Sequence, residues 1–329
     1  MSLTVYEPAT PRLHRSELAV PASVPKMIEK ASRSAADVVF FDLEDSVAPD
    51  DKPRARKNII EAMHDIDWGT RTVSVRINGL DTPFTYRDVI EVVEACPRID
   101  MLFLPKVGVA ADVYALDVLV TQIENAHGRS KRIGFEIMIE TALGLCNVES
   151  IAQSSRRLEA MCFGSGDFAA STGARTTTIG GLSPDYAVLS DADAQGRRNS
   201  YPLDPWHAAQ SRIVAACRAY GLRPLDGPYS DFNDKDGLLA SSRRSAALGF
   251  EGRMVIHPAQ IEPVNAVFSP AADEVARARR IVEAMEQAAR EGRGSAQLDG
   301  RMIDIANIRM AQSILRKADA ISEIGRAHV

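Results

Sequence analysis

Eight short apolar runs, each giving way to a polar or turn residue, are the feature that most limits how this chain can fold. They span residues 17–20, 38–43, 73–77, 101–104, 133–139, 160–163, 222–225 and 254–256. Interleaved with them, residues 54–63, 86–95, 111–125, 148–154, 206–220 and 238–248 repeat apolar side chains every three or four positions, the spacing of an amphipathic helix. Strands that are apolar almost without interruption are covered on both faces, so the alternation predicts a parallel sheet. Eight strand–helix units over this length predict an α/β fold of the closed (β/α)8, or TIM-barrel, type better than an open doubly wound sheet. No GxGxxG follows the first run, which also weighs against a dinucleotide-binding sheet.

Two segments fall outside the repeat. Residues 172–205 are long, irregular and rich in Gly, Ser, Thr and Asp, as functional loops often are. Residues 271–290 have the alanine- and glutamate-rich composition of a long helix, broken at Gly292–Gly294. A turn at Asp299–Gly300 and a last helix over 305–320 follow. The expected organisation is a barrel over 1–291 carrying the 172–205 insertion, then a C-terminal helical appendage over 292–329. The residues after Ile324 show no usable pattern.

The 329 residues carry a formal net charge of −5, which gives no electrostatic case for nucleic acid or an anionic membrane as the partner. The four cysteines, Cys96, Cys146, Cys162 and Cys217, form neither a CxxC pair nor a Cys/His cluster. Residues 1–11 lack an apolar signal region, and no run of about 18 apolar residues occurs. A reducing cytoplasmic compartment is the expectation.

Barrel active sites lie at the C-terminal strand ends. Here those ends carry Glu44 and Asp45 after the second run, Arg76 in the third, Lys106 after the fourth, Glu140 after the fifth, Asp167 after the sixth, Asp226 after the seventh and His257 after the eighth. Glu140 and Asp167 are hard oxygen donors on neighbouring strands with no Cys or His beside them, a set that suits Mg²⁺. Salt-bridged carboxylates are the alternative. Gly166 and its neighbour Gly164 permit close backbone approach to a substrate carboxylate. Arg76 requires an anionic or carbonyl partner, either substrate or a carboxylate such as Glu44. Lys106 is either a Schiff-base amine or, as favoured by the two metal carboxylates, an electrostatic partner of Glu44 or Asp45. His257 is either a general base or a structural cap.

These positions resemble the HpcH/HpaI aldolase–citrate lyase β-subunit superfamily from about Arg12 to Ala320. The matching stretches are FDLEDSVAPDDK (41–52), VRINGLDT (75–82), PKVG (105–108), EIMIETALG (136–144), FGSGDFAAS (163–171), DGPYSDF (226–232) and IHPAQI (256–261). The insertion containing TTTIGG (176–181) is similar to that of the malyl-CoA-cleaving members. The resemblance implies Mg²⁺, with Mn²⁺ as substitute, on Glu140 and Asp167. It implies Arg76 on the thioester or keto oxygen, and Glu44 and Asp45 ordering Arg76 and the metal's waters. Asp304, in GRMIDIA, matches the acid/base on an appendage that reaches a neighbouring subunit of a homotrimer or homohexamer.

The reaction implied is cleavage of the CoA thioester L-malyl-CoA to acetyl-CoA and glyoxylate, with β-methylmalyl-CoA giving propionyl-CoA as a further substrate. A malyl-CoA thioesterase, a citramalyl-CoA lyase and a citrate lyase β-subunit acting on an acyl carrier protein are the competing outcomes. The CoA moiety is expected against Ala19, Ser23, Lys30, Ile256 and Pro258. The first loop, LAVPAS at 18–23, departs from the usual LFVPGS at Ala19 and Ala22, which leaves the CoA contacts open but not the metal chemistry.

Overall fold

A computed structural model describes residues 6–176 and 178–327. Residues 1–5, Thr177 of the TTTIGG stretch and residues 328–329 lie outside the described residues. The chain forms two compact units, 1–265 and 266–329.

The first unit is the expected closed barrel. Its strands are β1 (Ser16–Pro21), β2 (Val38–Asp42), β3 (Thr72–Arg76), β4 (Met101–Leu104), β5 (Gly134–Ile139), β6 (Leu158–Phe163), β7 (Arg223–Asp226) and β8 (Gly252–Val255). They pair in sequence order, all parallel, and β8 closes onto β1. Alternation along each strand sends one residue inward and the next outward. Phe40 points inward and meets Phe103 edge-on at 5.4 Å, within a core shared with Met138, Cys162, Leu225 and Met254. Its neighbour Phe41 points outward and packs on Trp68. Truncating Phe40 or Phe103 to Ala would cost about 3–5 kcal/mol.

Helices cover the outside close to the expected positions, for example Lys52–Asp65, Ala110–Ala126 and His207–Ala219. The helix Pro25–Ser32 was not anticipated; it buries only Ile28 and Ala31, too little to register as a periodic stripe. Within the 172–205 insertion, Ala187–Leu189 and Ser200–Pro202 pair as an antiparallel hairpin where only irregular chain was expected.

The second unit contains the helices Ala272–Arg290 and Ile305–Ala327, which pack on each other, and between them the hairpin Ala296–Leu298/Arg301–Ile303. Asp299 and Gly300 both take positive φ (51° and 72°), the pattern of a type I′ turn. The compact units divide at 265/266, earlier than the boundary expected at 292. The reason is that Ala272–Arg290 packs with the last helix, so the glycines at 292 and 294 interrupt the second unit instead of opening it.

Candidate active site

The site begins with strand parity. Asp42 shares the inward face of Phe40, and its register partner on β3 is Arg76. The two form a bidentate pair, Nε to Oδ1 and Nη2 to Oδ2, each 2.8 Å. Asp42 also accepts the backbone N–H of Glu44 (2.8 Å) and of Ser46 (3.1 Å). Burial alone would raise the Asp42 pKa; Arg76 and these donors outweigh it and hold the carboxyl below its ordinary value. Burial opposes the Arg76 charge, but Asp42, Glu44 and Asp45 raise its pKa further, so the guanidinium stays cationic.

Of the partners open to Arg76, substrate or a carboxylate such as Glu44, Glu44 is therefore a secondary one. Its Oε2 stands 3.4 Å from Arg76 Nη1, and Asp45, 60% exposed, stands 4.0 Å from Nη2. Asp42 is the principal partner. Its signal was legible: two residues after inward Phe40, it had to face the barrel.

Glu44 is buried, which raises its pKa despite Arg76 and Lys106 beside it. Its Oε1 lies 2.5 Å from Lys106 Nζ. Burial disfavours the Lys106 ammonium, yet the Glu44 contact holds the amine above its ordinary value. A protonated amine is a poor Schiff-base nucleophile, so of the two roles open to Lys106 the ion pair is the one formed. Lys106 has φ 54°, uncommon for a non-glycine residue. That backbone aims its N–H at Glu140 Oε1, 2.7 Å away.

Glu140 closes β5 because Thr141 immediately caps the helix Ala142–Cys146, its Oγ1 accepting the Gly144 N–H at 2.9 Å. The carboxylate is 2% exposed. Opposite it, Gly164 leaves no room for a side chain: a Cβ there would stand 2.6 Å from Glu140 Cβ. Gly164 also opens the helix Ser165–Thr172, whose first turn carries Asp167. Burial first, then the charges of Glu44 and Asp167, push the Glu140 pKa up to about 8.

Glu140, Asp167, Arg76, Asp42, Asp45 and Gly166 all line one cavity of about 410 Å³. Its apolar wall includes Ala19, Met138, Ile179, Pro228, Met254 and Ile256, so the TTTIGG segment contributes Ile179. A crowded set of carboxylate oxygens, one of them on a group whose pKa is pushed up to about 8 by burial and then by its acidic neighbours, fits a hard divalent cation.

The other candidates are more scattered. Ala19 and Ile256 line the cavity; Ser23, Lys30 and Pro258 do not. Lys30 and Pro258 are exposed. Of the two roles open to His257, the structure forms the cap: Nδ1 accepts the Ala259 N–H at 3.2 Å and the ring stacks on Phe232. Asp226 is absorbed by Arg253 (2.7 Å) and Gln210 (3.0 Å). Asp304 lies in the second unit, where its Oδ1 accepts the Ala306 N–H at 2.9 Å and so caps the last helix.

A closed parallel barrel whose C-terminal mouth gathers carboxylates around a fixed arginine is the architecture of a barrel enzyme working at its strand ends. The chain belongs to the HpcH/HpaI aldolase/citrate lyase family, which matches it over residues 15–258. It is 53% identical over 320 residues to the L-malyl-CoA/β-methylmalyl-CoA lyase of Rhodobacter capsulatus, covering 97% of this chain and 99% of that one. Among solved structures it resembles CitE of Mycobacterium tuberculosis in complex with magnesium, acetoacetate and coenzyme A (TM-score 0.70, 30% identity, 93% of this chain and 98% of that one). A Burkholderia xenovorans citrate lyase shares the fold (TM-score 0.77, 22% identity, 97% and 95%).

Proposed function

We propose that this chain is a Mg²⁺-dependent carbon–carbon lyase that cleaves L-malyl-CoA to acetyl-CoA and glyoxylate. β-Methylmalyl-CoA, yielding propionyl-CoA and glyoxylate, is proposed as a second substrate. The observation that carries the reading is the single cavity shared by Glu140, Asp167 and a permanently charged Arg76, in a chain 53% identical to an enzyme of that name.

Glu140 and Asp167 would hold the cation, Mg²⁺ or Mn²⁺. When bound, it supplies Lewis-acid charge to the substrate's hydroxyl and carboxylate oxygens. In cleavage the malyl hydroxyl gives up its proton as its oxygen becomes the glyoxylate carbonyl, and the electron pair of the broken bond moves onto the thioester carbonyl as an enolate; one proton then returns to the acetyl carbon, so the count balances. Arg76 faces that developing charge, and fixed charge of this kind is usually the largest catalytic contribution. Asp42 keeps the guanidinium in one plane, which makes it a positioning residue. Glu44 links Arg76 to Lys106, whose backbone N–H steadies Glu140. The Gly166 backbone is open to a substrate carboxylate, and Met138, Ile179, Pro228 and Met254 offer the thioester an apolar wall.

Asp304 is proposed to deliver the proton to the acetyl carbon, acting on a neighbouring subunit's barrel in a cytoplasmic homotrimer or homohexamer. Its support is the match at GRMIDIA. Ser23, Lys30, Ala19, Ile256 and Pro258 are proposed to border the CoA moiety, with Lys30 available to its phosphates.

Product analysis tests the reading. The purified chain, given malyl-CoA and Mg²⁺, is expected to release glyoxylate and acetyl-CoA in equal amounts. Free malate and CoA instead would make it a thioesterase. Turnover only on an acyl carrier protein would make it a citrate lyase β-subunit type.

A further inference from the structure

The N-terminal half of the barrel interior holds a second ionisable cluster, away from the cavity at the mouth. His14 precedes β1, Glu17 lies on β1 and Glu136 lies on β5. All three are buried, at 2%, 0% and 0% exposure. His14 Nε2 stands 3.7 Å from Glu17 Oε2 and 3.7 Å from Glu136 Oε2. That is too long for a direct hydrogen bond. Among the described residues, neither nitrogen of His14 and none of the four carboxylate oxygens has a hydrogen-bond partner, and the buried Ser74 hydroxyl also has none.

Sealed polar atoms in native proteins are almost always satisfied, so a group of this size without partners calls for an occupant. The spacing says which kind. Around a tetrahedral ion with bonds of about 2.0–2.2 Å, neighbouring ligand atoms sit about 3.3–3.6 Å apart. One ligand atom from each of the three residues lies within 4.8 Å of the others. Two carboxylates neutralise a dication, and an imidazole beside them favours an ion that accepts nitrogen as well as oxygen. Mg²⁺ prefers oxygen alone and keeps several waters, which a fully buried pocket does not favour.

We propose that His14, Glu17 and Glu136 bind a structural divalent cation of the Zn²⁺ class. In the closed strand order β1 and β5 face each other across the barrel, so the ion would tie the two walls together and anchor the segment leading into β1. The site is independent of the lyase reading and of the mouth carboxylates.

The test uses the full chain carrying Glu140→Gln and Asp167→Ala, so that the mouth contributes no metal. The protein is produced in zinc-supplemented medium, dialysed against chelator, and its zinc measured by elemental analysis. About one equivalent per chain is expected, falling at least tenfold when Glu17→Gln and Glu136→Gln are added. Zinc below about one-tenth equivalent in the first protein, or unchanged in the second, would overturn the site. If the second protein does not fold, anomalous diffraction at the zinc edge from the otherwise unaltered chain decides. A peak bonded to His14 Nε2 supports the site, and an empty map there overturns it.

Discussion

The two ends of the barrel interior handle buried charge in opposite ways. At the mouth two cations are tied to carboxylates: Arg76 to Asp42 and Glu44, Lys106 to Glu44. Acid still exceeds base, and the surplus falls on Glu140 and Asp167, beside an open cavity. At the other end, Glu17 and Glu136 are sealed, and His14 stands beyond hydrogen-bond reach of both. A barrel core can thus carry acidic groups at both ends, but only the one opening on solvent can exchange substrate. The comparison separates a site built to bind and release from one built, if occupied, to stay occupied.

The sharpest way to break the contrast is at the mouth carboxylates proposed to hold the cation. Asp167→Ala, at an exposed position, should fold normally and lower glyoxylate release by at least about a thousandfold, the upper range for losing one preorganised electrostatic group. A tenfold loss or less would mean that Asp167 is only a surface carboxylate.

Next in size is Arg76→Lys. A point charge cannot reproduce the bidentate pairing with Asp42. The rate should fall by about 10²–10³, with unchanged Mg²⁺ binding by calorimetry. Weakened metal binding at a near-normal rate would reverse the roles assigned to the two halves of the mouth.

Asp304→Asn should keep fold and metal affinity and lose at least about a hundredfold in turnover, typical of a positioned acid/base. The match at GRMIDIA is wrong if that variant turns over normally.

The smallest effect concerns stability against pH. Without cation, Glu140 titrates near 8 in the folded chain, against an ordinary carboxyl value near 4.5. Between those values the unfolded chain holds fewer protons at this group, so its contribution to stability falls as pH rises through the window. The melting temperature of chelator-treated protein should drop from pH 5 to pH 8, and Glu140→Gln should flatten that part of the curve. An unaltered slope in the variant would show that Glu140 is not the strained group.

Much of this was legible in the chain itself. All eight strands were, because parallel barrel strands are apolar on both faces and stand out as runs. Glu140, Asp167 and Arg76 were, because they fall at the ends of those runs. Asp42 was passed over in favour of Glu44, although two-residue parity with Phe40 already turned it inward. The unit boundary was hidden for a physical reason: 265/266 lies inside the helix Ile261–Phe268, with no glycine or polar linker to mark it. The His14–Glu17–Glu136 cluster was also invisible, since residues far apart in the chain meet only when β1 and β5 face each other in the closed barrel. Periodicity reveals which residues share a face, not which faces oppose.

The central claim is that a divalent cation held by Glu140 and Asp167 is needed to break the carbon–carbon bond. Glyoxylate release from malyl-CoA, followed in excess chelator and again after Mg²⁺ is restored, tests it most directly. Release should stop in chelator and return with Mg²⁺. Undiminished release in chelator would contradict the account.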